Sequence, residues 1–134
     1  MSKLFDLQNK NVLLTGASKG MGLAMAQGLV NHGANVVISS RKLDQCQKAI
    51  ENINESIGQE KAFAFSCNAS SKDELNALVD FSISKLGSIT TLVCNAGVNS
   101  FFGSMSEIDD ESYDKTMDTT VSYTHLTLPT TYGV

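Results

Sequence analysis

Short apolar runs alternate with longer amphipathic stretches along most of the chain. Asn11-Val-Leu-Leu-Thr15 has the composition of a buried strand and is closed by Gly16. Leu23, Ala26, Leu29 and Val30 then share one helical face, and that helix is predicted to stop near Gly33. Asn35-Val-Val-Ile-Ser-Ser40 predicts a second strand. Leu43 to Ile57 predicts a helix with Cys46, Ile50, Ile53 and Ile57 on one face and Gly58 as its stop. Ala62-Phe-Ala-Phe-Ser-Cys67 predicts a third strand. Ser71-Lys-Asp-Glu74 has the form of a capping box, in which the serine accepts from a first-turn amide and the glutamate reaches back. The helix it opens carries Leu75, Leu78, Val79 and Ile83 and stops at Gly87. Ile89-Thr-Thr-Leu-Val-Cys94 predicts a fourth strand. A loop follows to Asp109 or Asp110, placed to cap a helix starting near Glu111.

Alternation of this kind predicts an α/β fold: a parallel sheet with right-handed crossovers and helices on both faces. At 134 residues the chain has the size of one domain, and its 42% apolar and 18% charged content is that of a globular protein rather than a disordered one. No apolar run is long enough to span a bilayer, and no apolar segment follows Lys3, so no signal peptide is expected. The net charge of −4, with no basic block, argues against nucleic-acid binding. Cys46, Cys67 and Cys94 are odd in number and share no metal-ligand spacing; they are expected to be reduced, mostly buried thiols of a cytoplasmic protein. Charge is unevenly distributed, and no charged residue follows Asp118.

The candidate chemistry starts between the first strand and the first helix, at Thr15-Gly16-Ala17-Ser18-Lys19-Gly20-Met21-Gly22. In an open α/β sheet this is where nucleotides bind, at the carboxyl end of a strand and the N-terminus of a helix. Free amides and the positive end of the helix dipole favour a pyrophosphate there, and glycines let the ligand approach without a Cβ in its way. Gly16, Gly20 and Gly22 are spaced G-x-x-x-G-x-G, which is neither the general G-x-G-x-x-G nor a P-loop.

In this turn the chain resembles the short-chain dehydrogenase/reductase family, whose cofactor motif T-G-x-x-x-G-x-G stands here complete. Cys94-Asn95-Ala96-Gly97 matches the family's Asn-Asn-Ala-Gly after the fourth strand. Asn68, after the third strand and followed by Ala69, falls where the family usually has an aspartate that contacts adenine. The resemblance covers residues 5 to about 120, the N-terminal half of such an enzyme. It implies a Rossmann-type doubly wound sheet of order 3-2-1-4, cut after its fourth strand, and an oxidoreductase that moves hydride between a nicotinamide cofactor and a carbonyl/alcohol pair. It also implies a homo-oligomer for the full-length protein.

The end of the second strand bears on which nicotinamide is bound. An acid there would hydrogen-bond the ribose 2′-hydroxyl of NAD and repel a 2′-phosphate. Ser40 occupies the acid's expected place and Arg41 follows it, offering a planar fork to phosphate, with Lys19 as a second cation in the glycine turn. In the family this pairing of basic positions goes with NADP. The expected cofactor residues are therefore Gly16, Ser18, Lys19, Gly20, Met21, Gly22, Ser40, Arg41, Asn68, Ala69, Asn95, Ala96 and Gly97. An NAD-linked alcohol dehydrogenase or a 3-oxoacyl reductase of the same family, and a non-catalytic nucleotide-sensing module, are the alternative expectations.

Other constellations are expected to be structural. Asp109, Asp110, Glu111, Asp114 and Asp118 suit a helix N-terminus better than a metal, and Glu111 pairs with Lys115 at i,i+4. His32 suits the end of a helix, and Cys94, with no cation to activate it, is expected to pack. In the loop Val98 to Met105, Asn99, Phe101, Phe102 and Gly103 look most like the carbonyl reductases of the family.

The family's catalytic residues are missing. None of the three tyrosines has a lysine four residues on: Tyr113 is followed by Met117, Tyr123 by Thr127, and Tyr132 nearly ends the chain. The position of the family asparagine holds Thr120. From Val121 the family pattern stops, and residues 121–134 resemble translated sequencing adapter. An asparagine codon interrupted after its first base by an adapter opening C-T reads A-C-T, threonine. The expected organisation is therefore 1–120, half of an NADP-binding domain, followed by a non-native tail at 121–134.

Overall fold

The computed structural model describes residues 3–17 and 20–95, together with Asp110, Glu111 and Asp114. After a short 3-10 turn at Lys3–Phe5, strands and helices alternate as β1 (Asn11–Thr15), α1 (Gly20–Asn31), β2 (Asn35–Ser40), α2 (Leu43–Ile57), β3 (Ala62–Ser66), α3 (Lys72–Leu86) and β4 (Thr91–Cys94). The four strands form one parallel sheet in the order β3-β2-β1-β4. This is the Rossmann-type order expected from the family resemblance.

The two central strands, β1 and β2, are buried on both faces, as continuous apolar strands require. Strand side chains alternate, so Val12, Leu14, Val36 and Ile38 meet Ala26 and Val30 of α1 and Cys46, Ala49 and Ile53 of α2 on one face. Leu13 and Val37 meet Leu75 and Leu78 of α3 on the other. Leu13 and Leu14, both fully buried, thus anchor opposite layers from adjacent positions. Each is worth about 1.5–3 kcal/mol of burial.

Register places the site. Thr15 pairs with Ser39 on one side and Cys94 on the other, so β1, β2 and β4 end at nearly one level. Everything needed for a ligand therefore has to come from the turns just beyond that edge.

Three boundaries differ from the sequence expectation. The first helix begins at Gly20, ahead of its first periodic apolar residue, Leu23. The third strand ends at Ser66, and Cys67 turns its amide to the carbonyl of Ser40 at 2.9 Å. The fourth strand begins at Thr91 rather than Ile89, because side chains interrupt the ladder: the Asn11 amide donates to Thr90 Oγ1 at 2.8 Å, and Asn11 Nδ2 donates to Leu86 O at 3.2 Å. Of the helix expected near Glu111, Asp110, Glu111 and Asp114 are described and helical.

The capping box forms with a different return partner. Ser71 Oγ accepts from the Glu74 amide at 3.3 Å, while Glu74 Oε1 accepts from the amide of Asn68 at 3.3 Å. The Ser71 amide is already engaged with Asn68 O at 3.0 Å, so the glutamate caps the residue one turn earlier. The cap at α3 consequently shapes the end of β3.

Candidate cofactor site

The glycine turn leaves β1 by crossing onto β2. The amides of Gly16 and Ala17 both donate to Ser39 O, at 2.8 and 3.2 Å. These two amides face the sheet and are not free for a phosphate, so among the described residues the available donors begin at Gly20, Met21 and Gly22, the first turn of α1. Gly16 makes the turn; its φ of 69° and that of 64° at Gly20 lie in the left-handed region, where a side chain would be strained.

Gly22 serves close approach. A Cβ there would stand 2.4 Å from Gly16 O, 2.7 Å from Asn95 Nδ2 and 2.8 Å from Ala17 Cα. A Cβ on Gly20, by contrast, would meet nothing within 4 Å. The turn is thus packed tightly behind and open in front, which is the shape a pyrophosphate at a helix N-terminus requires. The residues described here fit a dinucleotide.

Asn95, immediately after β4, ties the turn together. Its Nδ2 donates to Gly16 O at 2.9 Å, and its backbone amide donates to Thr15 Oγ1 at 3.1 Å. Thr15 itself is buried. One asparagine therefore holds the last residue of β1 and the first glycine in place.

At the end of β2 the backbone is held on both sides. Ser66 Oγ donates to Arg41 O at 3.2 Å, linking this corner to β3. The Arg41 side chain is exposed, and no carboxylate stands at position 40. Ser40 is less free than the sequence implies. Its Oγ accepts from the Lys42 amide at 3.2 Å, lies 3.2 Å from Lys42 O, and lies 3.1 Å from Cys46 Sγ.

Asn68 is half-buried after β3. Its Oδ1 accepts from the amide and the hydroxyl of Ser70, at 3.0 and 2.8 Å, which leaves Nδ2 as the group that could donate to an adenine nitrogen. Ala69 beside it is buried and belongs to the α3 face of the core. Ser18, Lys19, Ala96, Gly97 and Thr120 lie outside the described residues, as do Asn99 to Gly103 and the segment 121–134.

The cysteines divide by burial. Cys46 and Cys67 are buried, whereas Cys94 is exposed, which corrects the expectation that it packs: it ends β4, with no described strand beyond it. Burial pushes the Cys67 thiol up to about 11, with the Glu74 carboxylate adding to the rise. Burial also raises Cys46, against the opposing effect of its hydrogen bonds with the side chain and backbone of Ser40, and partial desolvation raises Cys94. None is an activated nucleophile. Among the described residues no group of histidines, cysteines and acids could hold a metal, and no helix is long and apolar enough to cross a membrane.

His32 ends the first helix as expected, its Nδ1 lying 2.7 Å from Gly28 O. With Leu4, Phe5, Leu7, Met25, Leu29 and Val93 it lines an apolar cavity of about 390 Å³. That cavity lies along the flank of α1, shares no lining residue with the glycine turn, and has His32 as its one polar side chain.

Comparison with known proteins decides the kinship. The profile of the short chain dehydrogenase family matches residues 10–129, running past Thr120 into the segment expected to be a tail. The chain belongs to the short-chain dehydrogenase family. It is 38% identical over 114 residues to dehydrogenase/reductase SDR family member 4 of Caenorhabditis elegans, covering 85% of this chain and 44% of that protein. It is also similar to the crystal structure of a short chain dehydrogenase from Burkholderia cenocepacia in complex with NADP, at 27% identity and TM-score 0.83, covering 94% of this chain and 51% of that one. The 3-ketoacyl-(acyl-carrier-protein) reductase from Brucella melitensis, solved with NADH, matches at 27% identity and TM-score 0.84, covering 96% and 49%. This short-chain dehydrogenase chain thus spans less than half the length of its curated relative. The two structural neighbours carry different nicotinamides, so kinship by itself does not choose the cofactor.

Three contacts at the site had no single-residue signal in the sequence: the Ser39 carbonyl under the turn, Glu74 on Asn68, and Cys46 on Ser40. Each joins segments whose juxtaposition depends on the sheet order or a helix start. Only the spacing Asn68-x-x-Ser71-x-x-Glu74 hinted at the second.

Proposed function

We propose that this chain is the cofactor-binding part of an NADP-dependent short-chain oxidoreductase that interconverts a carbonyl and an alcohol. The observation that carries the cofactor preference is the end of β2, where Ser40 and the exposed Arg41 stand and no carboxylate does. An acid at that corner would repel a 2′-phosphate; a guanidinium pairs with it through two donors. Lys19, in the glycine turn by sequence, adds a second positive charge.

The nicotinamide, when bound, supplies the hydride. The chain's own residues bind and orient it: the amides of Gly20, Met21 and Gly22 take the pyrophosphate, Asn68 the adenine edge, and Asn95 keeps the turn in shape. Ser18, Ala96 and Gly97 complete the set by position in the family motif. Proton transfer needs a tyrosine with a lysine four residues on, and the 134-residue chain carries none. In this reading residues 1–120 are half of an NADP-binding domain and 121–134 a non-native tail. The whole protein acts on a small carbonyl or alcohol in the cytoplasm as a homo-oligomer.

Equilibrium titration with NADPH and NADH tests the preference. Arg41→Ala is expected to lose about 1.5–3 kcal/mol of NADPH affinity, the range for charge-assisted hydrogen bonds, and almost none of NADH affinity. Equal losses for both cofactors would overturn the reading.

A further inference from the structure

The hydroxyl of Ser40 stands at the corner where NADP and NAD differ, and a buried residue outside the cofactor motifs reaches it. Cys46 lies in the first turn of α2, fully buried in the α1/α2 face of the core, with Sγ 3.1 Å from Ser40 Oγ. The Lys42 amide also points at that oxygen, at 3.2 Å, and Lys42 O lies at the same distance as a possible acceptor.

A serine hydroxyl has one hydrogen and two lone pairs. Lys42 N–H takes one lone pair. Sulfur is a poor acceptor compared with a carbonyl or phosphate oxygen, so the hydroxyl hydrogen goes to an oxygen and the thiol is left as the donor. Burial keeps that thiol protonated, because its ionisation is pushed above the ordinary value. With Lys42 N–H and Cys46 S–H both donating, Ser40 Oγ has no lone pair left and can only donate. A 2′-phosphate has acceptors alone and accepts that donation in place of Lys42 O. A ribose 2′-hydroxyl brings a hydrogen of its own, which finds no acceptor on Ser40 and loses the bond it made with water.

We infer that Cys46 is a positioning residue that holds the Ser40 hydroxyl as an obligate donor and so sharpens selection of a 2′-phosphorylated nicotinamide dinucleotide. This deepens the proposed NADP preference and rests on it.

The test is equilibrium binding of NADPH and NADH to the full chain and its variants, with thermal melting as a check of folding. Cys46→Ala frees one lone pair on Ser40 and is expected to lower the NADPH-over-NADH ratio about 3- to 10-fold, the worth of one neutral hydrogen bond. Cys46→Ser keeps a donor of similar size and is expected to restore the ratio. In a Ser40→Ala background, Cys46→Ala is expected to change the ratio no further. Equal weakening of both cofactors, failure of the serine to rescue, or a full effect without Ser40 would each overturn the role of Cys46. A parent chain that prefers NADH would instead refute the NADP reading. A parent that prefers NADPH but is unmoved by Cys46→Ala refutes only this inference.

Discussion

Asn95 Nδ2 donates to the carbonyl of Gly16 across 2.9 Å, joining residues 79 positions apart in the chain. The bond crosses from the end of β4 to the end of β1, next to the position where a Cβ on Gly22 would sit 2.4 Å from the same carbonyl. The glycine turn is therefore shaped from three directions: its own backbone, the first turn of α1 and the residue after β4.

Removing either support should loosen the turn. Asn95→Ala leaves the partly buried Gly16 O without its partner and is expected to cost about 1 kcal/mol, the low end of the penalty for an unsatisfied acceptor. Gly22→Ala forces the backbone apart and is expected to cost at least about as much, in the range of overpacked cores. Urea unfolding of the two variants measures both effects. Unchanged midpoints would show that the turn is held elsewhere.

Stability should fall at alkaline pH through Cys67. Its thiol is held up to about 11 in the fold against an ordinary value of 9.0. The folded state therefore keeps its proton while the unfolded chain loses one, and stability present below pH 9 is lost as pH rises towards 11. Cys67→Ser, followed by unfolding at pH 8 and pH 10, should flatten that decline.

Thiol labelling should sort the cysteines by access. Cys94 is exposed while Cys46 and Cys67 are buried, so a neutral alkylating reagent is expected to modify Cys94 first and the other two only as the chain opens. Mass spectrometry of the time course reads this directly. Simultaneous modification of all three would mean that the core is not closed.

The 134-residue chain is expected to turn over no carbonyl substrate, even where it binds NADPH, because none of its tyrosines is followed by the lysine that the proton transfer uses. Following NADPH absorbance with a panel of ketones checks this. Consumption above the protein-free rate would require another acid.

Self-association is expected as well. Among the described residues no strand pairs with the outer edge of β4, and its Leu92 and Val93 are only half-buried. Leu4 and Phe5 add exposed apolar surface, at 81% and 60%. An apolar edge with free backbone groups is a template for pairing between chains. Sedimentation should show association that Val93→Lys reduces. A monodisperse parent melting cooperatively above about 45 °C, an ordinary mesophilic value, would count against it.

Much of the architecture was legible because its signals are local. Helix α2 runs from Leu43 to Ile57 as its periodicity predicts, since Ile53 and Cys46 repeat at helical spacing and Gly58 stops the chain. Strand β4 was legible in kind but not in extent, because the Thr90 hydroxyl, rather than a backbone carbonyl, meets the amide of Asn11, a residue distant in sequence. Among site residues, Gly16, Gly22 and Asn95 were recognisable as a motif, whereas the direction of the Gly16 and Ala17 amides was not.

The order of strands and helices, the glycine turn at the end of the first strand and the missing acid at the end of the second are all written in local sequence. These follow from periodicity, from backbone freedom at glycine and from the identity of one side chain, all of which act over a few residues. Which polar groups remain available at the site depends on how the chain packs. The Gly16 and Ala17 amides are taken by Ser39, the Ser40 oxygen by Lys42 and Cys46, and the Asn68 amide by Glu74. A hydrogen bond requires both partners within about 3 Å. Which groups come that close across strands and helix ends is set by sheet order and register, not by neighbours in the chain.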